Sequence, residues 1–217
     1  MTADHITLQL DQLAFAWPDR VVLQRCTTAL KAGITWLRGP NGVGKSTLLQ
    51  LLAGALRPLQ GTARLLRPGQ PALDLHADNP LAWRHAVFWC GPGAVAYDHL
   101  SPLDFWSFLH GLYPDWQPLA VVRHAEAFGL GPHLDRPLAR LSTGTQRKVW
   151  LVAALAAGTP VRLLDEPLNA LDDEATAYLQ DQLAQAQEER SALWLVASHD
   201  APLPADSAPA REWRLAP

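Results

Sequence analysis

Eight consecutive residues, Gly39-Pro40-Asn41-Gly42-Val43-Gly44-Lys45-Ser46, fit the pattern G-x-x-x-x-G-K-[ST]. Glycines at those spacings let the backbone fold tightly, with several N–H groups aimed inward as an anion cradle. Lys45 adds a point charge suited to terminal phosphates, Ser46 offers a hydroxyl to a divalent cation, and Thr47 continues into the next turn. A random chain of this size would contain the pattern roughly once in a hundred cases, so a chance match is the weaker reading. A second chemical feature lies far along the chain. Val161-Arg162-Leu163-Leu164 is a mostly apolar run that ends in Asp165-Glu166-Pro167. Successive strand side chains point to opposite faces, which predicts that the two carboxylates diverge at a sheet edge. Asp165 is then suited to hold a metal ion and Glu166 to act as base or to orient an attacking water. A solvated strand end before a proline turn would also explain Asp-Glu-Pro, but less well beside a phosphate loop.

The elements that must position these residues are legible in outline. Ile6, Leu8 and Leu10, then Leu13, Phe15 and Trp17, alternate with polar neighbours around a break at Asp11-Gln12, which is strand periodicity. Pro18-Asp19 reads as a turn into a second strand beginning at Val21, and Ile34–Leu37 as a strand that feeds the glycine loop. Leucines at 48, 49, 51 and 52 predict a buried helix from Lys45 to Ala53, closed by Gly54. Residues 67–82 read as loop. Prolines at 92, 102, 114, 118, 132 and 137 punctuate short helices at Leu103–Leu112 and Leu119–Phe128. The texture predicts a helical subdomain, residues 91–140, inserted in a single domain spanning 1–217. Helix Gly144–Ala157, strand Val161–Leu164, helix Glu174–Arg190 and strand Leu193–Ala197 follow, and Trp213–Leu215 suits a last edge strand. That alternation argues for an α/β protein with a mainly parallel sheet.

Composition sets bounds on partners. Of 217 residues, 48% are hydrophobic and 18% charged, as in an ordinary globular chain. The net charge of −3 argues against a broad face for nucleic acid. Cys26 and Cys90 offer no disulfide framework. Met1-Thr2-Ala3-Asp4-His5 lacks the pattern of a signal peptide, and the longest apolar run, Val149–Ala157, is short for a hydrocarbon core of roughly 30 Å. Any membrane connection is therefore expected through another chain. The tryptophans are read mainly as packing, including Trp83, Trp89, Trp106 and Trp116 around the helical segment.

Together these features resemble the ATP-binding cassette (ABC) ATPases over nearly the whole chain. Leu141-Ser142-Thr143-Gly144-Thr145 is similar to that family's LSGGQ signature. Asn169-Ala170-Leu171-Asp172 resembles the loop that reaches a second subunit, and Ser198-His199-Asp200 the histidine switch. The resemblance implies a P-loop nucleotidase core with an N-terminal antiparallel β subdomain and the inserted helical subdomain. It implies ATP and Mg²⁺ as cofactors, with Trp17 stacking on adenine and Gly39–Thr47 holding phosphate. Ser46 and Asp165 would serve the metal, and Glu166, His199 and Lys45 the hydrolysis. It further implies a head-to-tail homodimer in which Ser142 and Gly144 contact the nucleotide in trans, and an integral membrane permease as partner. The expected location is peripheral, on the cytoplasmic face of the inner (plasma) membrane. Ser142 before a helix also suits a plain N-cap, and His199 a surface loop histidine.

The sequence departs from the family where a glutamine usually precedes the helical subdomain. No glutamine stands between Gln70 and Gln117, and the matching segment reads Phe88-Trp89-Cys90-Gly91-Pro92-Gly93. Neither Cys90 nor Gly91 supplies a hard oxygen ligand, so the metal would keep an extra water. Thr143 and Thr145 replace glycine and glutamine of the signature. Size and loop are similar to ATPases of the haem exporters of cytochrome c maturation. The signature is equally similar to ATPases of exporters with a six-helix permease. A weakly hydrolysing nucleotide-gated module and a soluble, non-transport ABC ATPase are the competing readings.

Overall fold

The computed structural model describes residues 5–75, 80–91 and 97–215. Met1–Asp4 of the stretch read above for a targeting signal, and Pro92 and Gly93 of the departing segment, lie outside the described residues. The chain opens with β1 (Thr7–Trp17), β2 (Arg20–Lys31) and β3 (Gly33–Arg38), then runs through the glycine loop into α1 (Lys45–Leu52). Next come β4 (Gln60–Leu66), β5 (Leu73–Asp74), α2 (Pro80–Ala86) and β6 (Val87–Cys90). Helices α3 (Pro102–Leu112) and α4 (Pro118–Ala127) precede α5 (Thr143–Ala156), β7 (Val161–Asp165), α6 (Asp173–Glu189), β8 (Leu193–Ala197) and β9 (Arg211–Arg214).

Two sheets result. The antiparallel one has the order β2-β1-β4-β5, and the parallel one β6-β7-β8-β3-β9. The break at Asp11-Gln12 is a bulge: the β1 register slips between Leu10 and Leu13, and Gln12 adopts φ 50°. One strand therefore spans what reads as two half-patterns, because the extra residue restores the inward facing of Leu13 and Phe15. Gly61, at φ 81°, lies directly against the Gln12 carbonyl, where a side chain has no room.

The parallel sheet is covered on both faces, which is why β8 is apolar at every position. Leu163 and Leu195 share one core cluster with Leu8, Leu10, Leu48 and Leu52, beneath α1 and the antiparallel sheet. Leu164 and Val196 face the other way, toward Val149, Val152, Leu179 and Leu183 of α5 and α6. Each such leucine or valine removed from water contributes about 1.5–3 kcal/mol. One sequence expectation is corrected, and two strands are found that the sequence reading did not assign. Residues 67–82 are not all loop, because β5 and the start of α2 fall within them. Phe88–Cys90 belongs to edge strand β6, in parallel register with Val161–Leu164. Four residues are too short for a periodicity to show. The strand Gln60–Leu66, opening on Gln-Gly, also escapes the pattern reading.

The region between β6 and α5 holds α3 and α4. Ser101 and Asp104 form a reciprocal capping box at the start of α3, with Pro102 in the first turn. Trp106 donates from its indole to the Val149 carbonyl at 3.1 Å, tying α3 to α5. Trp83, Trp106 and Trp116 are buried, in keeping with packing roles, and Trp89 is partly buried. On α4, His124 is only 2% exposed. Its Nδ1 lies 2.7 Å from the Tyr178 hydroxyl of α6, and Arg123 sits 3.4 Å from Nε2. Burial, then the charges of Arg123 and Arg162, push its pKa down to about 4. The folded value lies below the unfolded one, so the folded state loses stability as pH falls from about 6.5 toward 4. The shift corresponds to roughly 3 kcal/mol. Denaturant unfolding at pH 7 and pH 4.5 checks this: His124→Gln should flatten part of the pH dependence, and an unaltered slope would contradict it.

Candidate functional site

The glycine loop leaves the carboxyl end of β3 at the centre of the parallel sheet, and its conformation depends on residues without Cβ. Gly44 caps α1 at φ 113°, where a Cβ would stand 2.5 Å from Val22 Cγ1. Gly39, at φ 156°, would meet the Leu215 carbonyl at 2.8 Å. Lys45 is 7% exposed and folds back across the loop, its Nζ donating to the Gly39 carbonyl at 2.8 Å. A buried ammonium with a neutral carbonyl for partner is poised to exchange it for an anion.

Strand β7 ends beside the same loop, with Asp165 in register with Ala197. Asp165 is 1% exposed, and its Oδ2 has no hydrogen-bond partner among the described residues. Burial raises its pKa, while the Ser46 hydroxyl and the charges of Arg147 and Lys45 draw it down. Glu166 breaks the strand. Its backbone is left-handed at φ 48°, and its N–H donates to the Ala197 carbonyl at 2.7 Å. This corrects the expectation that strand alternation sends the two carboxylates apart: the turn at Glu166 brings both onto one cavity. After β8, the loop at Ser198 is held by the Trp36 indole, which donates to its carbonyl at 3.0 Å. From there His199 Nε2–H reaches Asn41 Oδ1 at 2.7 Å and lies 3.5 Å from Glu166 Oε1.

These groups line a cavity of about 610 Å³. Trp17, Asn41, Gly42, Gly44, Lys45, Ser46, Thr47, Asp165, Glu166 and His199 all border it. Gly39 and Pro40 instead border an adjoining cavity of about 400 Å³, and Val43 is buried. Trp17 stands at the mouth, 46% exposed and edge-on to Phe15 at 5.0 Å. Ser142 and Gly144 do not border this cavity. Ser142 caps α5, accepting from the Thr145 N–H at 3.2 Å, and Gly144 packs under the Ala170 carbonyl. Sequence reasoning missed Arg20, whose guanidinium donates to the Gly42 carbonyl at 2.6 Å and borders the cavity beside Trp17. Its place just after the Pro18-Asp19 turn was the available signal. It also missed Asn169 as a wall residue.

A magnesium ion suits this donor set. Mg²⁺ takes one or two protein oxygens and completes its shell with phosphate and water, and here the Ser46 hydroxyl accompanies an orphaned, buried carboxylate oxygen. Cys90 offers nothing comparable, since burial pushes its thiol up to about 12.

A phosphate cradle at the carboxyl edge of a parallel sheet, faced by paired carboxylates and a histidine, defines a nucleotide-hydrolysing engine. The chain belongs to the ABC transporter family, whose pattern matches residues 23–169. It is 38% identical over 198 residues to the cytochrome c biogenesis ATP-binding export protein CcmA of Sphingopyxis alaskensis, covering 89% of this chain and 90% of that one. The protein of the same description from Paramagnetospirillum magneticum is 37% identical over 183 residues, covering 82% of each. Among solved structures, cbiO1 from Clostridium perfringens, part of the ABC transporter complex cbiONQ, superposes with a TM-score of 0.66 at 26% identity, over 91% of this chain and 80% of that one. An ATP-binding subunit of an ABC transporter shares the fold with a TM-score of 0.73 at 24% identity, over 89% of this chain and 80% of that one. The chain is thus the ATP-binding subunit of an ABC transporter, hydrolysing ATP in step with transport by separate membrane components. No helix among the described residues is long and apolar enough to cross a membrane.

Proposed function

We propose that two copies of this chain pair head to tail, bind MgATP at their interface and drive a haem-exporting permease of cytochrome c maturation. One observation carries the reading of the site: Lys45, Ser46, Asp165, Glu166 and His199 border one cavity, while Ser142 and Gly144 stand outside it. In this reading Lys45 and the N–H groups of Gly39–Thr47 hold the β- and γ-phosphates, and Trp17 stacks on adenine. Ser46 and Asp165 hold Mg²⁺, which screens the developing phosphoryl charge. Glu166 orients the attacking water or takes its proton, and His199, now on Asn41, turns to the γ-phosphate. Ser142 and Gly144 of a second copy close the open wall. A two-fold axis makes both sites equivalent.

Residues 91–140 serve as the inserted helical subdomain that meets the permease, placing the chain peripherally on the cytoplasmic face of the membrane. The names of the relatives at 33–38% identity, cytochrome c biogenesis ATP-binding export proteins, support an exporter of cytochrome c maturation, and haem as its cargo follows from the resemblance drawn from the sequence. Affinity purification of the tagged chain from membranes tests it. The expected result is co-purification with an integral membrane chain and haem-stimulated ATP hydrolysis. Recovery with a permease whose turnover responds to another cargo and not to haem would overturn the haem assignment.

A further inference from the structure

The peptide between Asp165 and Glu166 is held at both of its polar groups. Its N–H donates to the Ala197 carbonyl of β8 at 2.7 Å. Its oxygen, the Asp165 carbonyl, accepts from Arg147 Nη1 of α5 at 3.3 Å. That peptide decides where Glu166 stands. Left to its own preference, a glutamate after β7 would continue the strand at negative φ, with its side chain on the face opposite Asp165. Here it holds φ 48° and borders the same cavity. A conformation that a residue with a Cβ rarely adopts persists only when its surroundings over-determine it, and two hydrogen bonds to one peptide do so.

Arg147 is itself well anchored. Among the described residues its hydrogen-bond partners are the Asp165 carbonyl and the Cys90 thiol. Cys90 ends β6 in register with Leu164, so the guanidinium bridges the ends of two neighbouring strands. Its neighbours on α5 fix the start of that helix. Gln146 Nε2 donates to the Leu138 and Leu141 carbonyls at 2.7 and 3.2 Å, and Lys148 Nζ meets Asp172 Oδ2 at 2.6 Å.

We propose that Arg147 is a positioning residue for Glu166: reaching from α5 to the Asp165 carbonyl, it fixes the peptide that turns Glu166 onto the nucleotide cavity. The inference rests on the water-orienting role given to Glu166. It also links two sites. Ser142 caps α5, so under the proposed pairing the engagement of one nucleotide by that cap is felt at the Glu166 that serves the other.

The test is a double-mutant cycle on the purified full chain, read as single-turnover hydrolysis rate and as ATP affinity. Arg147→Met removes the guanidinium and keeps an unbranched stem. It should lower the rate about tenfold, leave ATP affinity within twofold of the parent, and cost nothing further in a Glu166→Gln background. Arg147→Lys keeps one donor for the carbonyl and should recover part of the rate. Urea unfolding monitors the fold of each variant. If Arg147→Met does not fold, the lysine variant carries the same cycle, at about a third of the parent rate. A parent rate in the folded variant overturns the proposal. So does a loss that persists in the Glu166→Gln background, or a loss of ATP affinity in a folded chain. Glu166→Gln alone separates the underlying reading: if it hydrolyses at the parent rate, Glu166 does not orient the water, whatever Arg147 does.

Discussion

Lys45→Ala folds normally and loses ATP affinity by about a hundredfold or more. The ammonium is nearly buried and, among the described residues, has only the Gly39 carbonyl as hydrogen-bond partner. A triphosphate supplies charged acceptors in its place, and a charge-assisted bond in a desolvated site is worth about 1.5–3 kcal/mol, with more lost when a charged partner is left alone. Alanine is a good helix former at the first position of α1, so the backbone cradle survives. Calorimetric titration with ATP is the measurement. An affinity equal to that of the parent chain would detach the glycine loop from nucleotide binding.

The second large effect falls on turnover. Glu166→Gln preserves shape and the left-handed turn at residue 166, and removes the negative charge 3.5 Å from His199. Loss of a positioned base lowers the rate by about 10²–10⁴-fold while leaving ATP binding intact. Gel filtration with MgATP should then show a long-lived dimer carrying unhydrolysed nucleotide. Phosphate release at the parent rate would remove Glu166 from the reaction.

How much of this was readable beforehand depends on the range of the forces involved. The phosphate loop announces itself because the cradle is built by neighbours in sequence, and glycine at 39, 42 and 44 answers a local backbone demand. The helices α5 and α6 and the strands β7 and β8 follow from apolar periodicity, which burial on both faces imposes. The turn at Glu166 was hidden. Nothing in Leu164-Asp165-Glu166 signals that a glutamate will take φ 48°; the conformation is fixed by its N–H bond to Ala197, thirty-odd residues away in sequence. Arg20 was hidden for a like reason, since its partner Gly42 is brought near only when β2 folds beside the loop. The missing loop glutamine was visible as a gap in a pattern. That Gly91 is pressed between Trp89 and Asp165 required the pairing of β6 with β7.

With Ser142 and Gly144 standing outside their own chain's cavity, each fuel molecule becomes the joint property of two chains under the proposed pairing. A crippled copy then spoils its healthy mate as well as itself. Defects in this gene would behave as dominant when both versions are expressed together, and output would fall faster than the supply of intact chains.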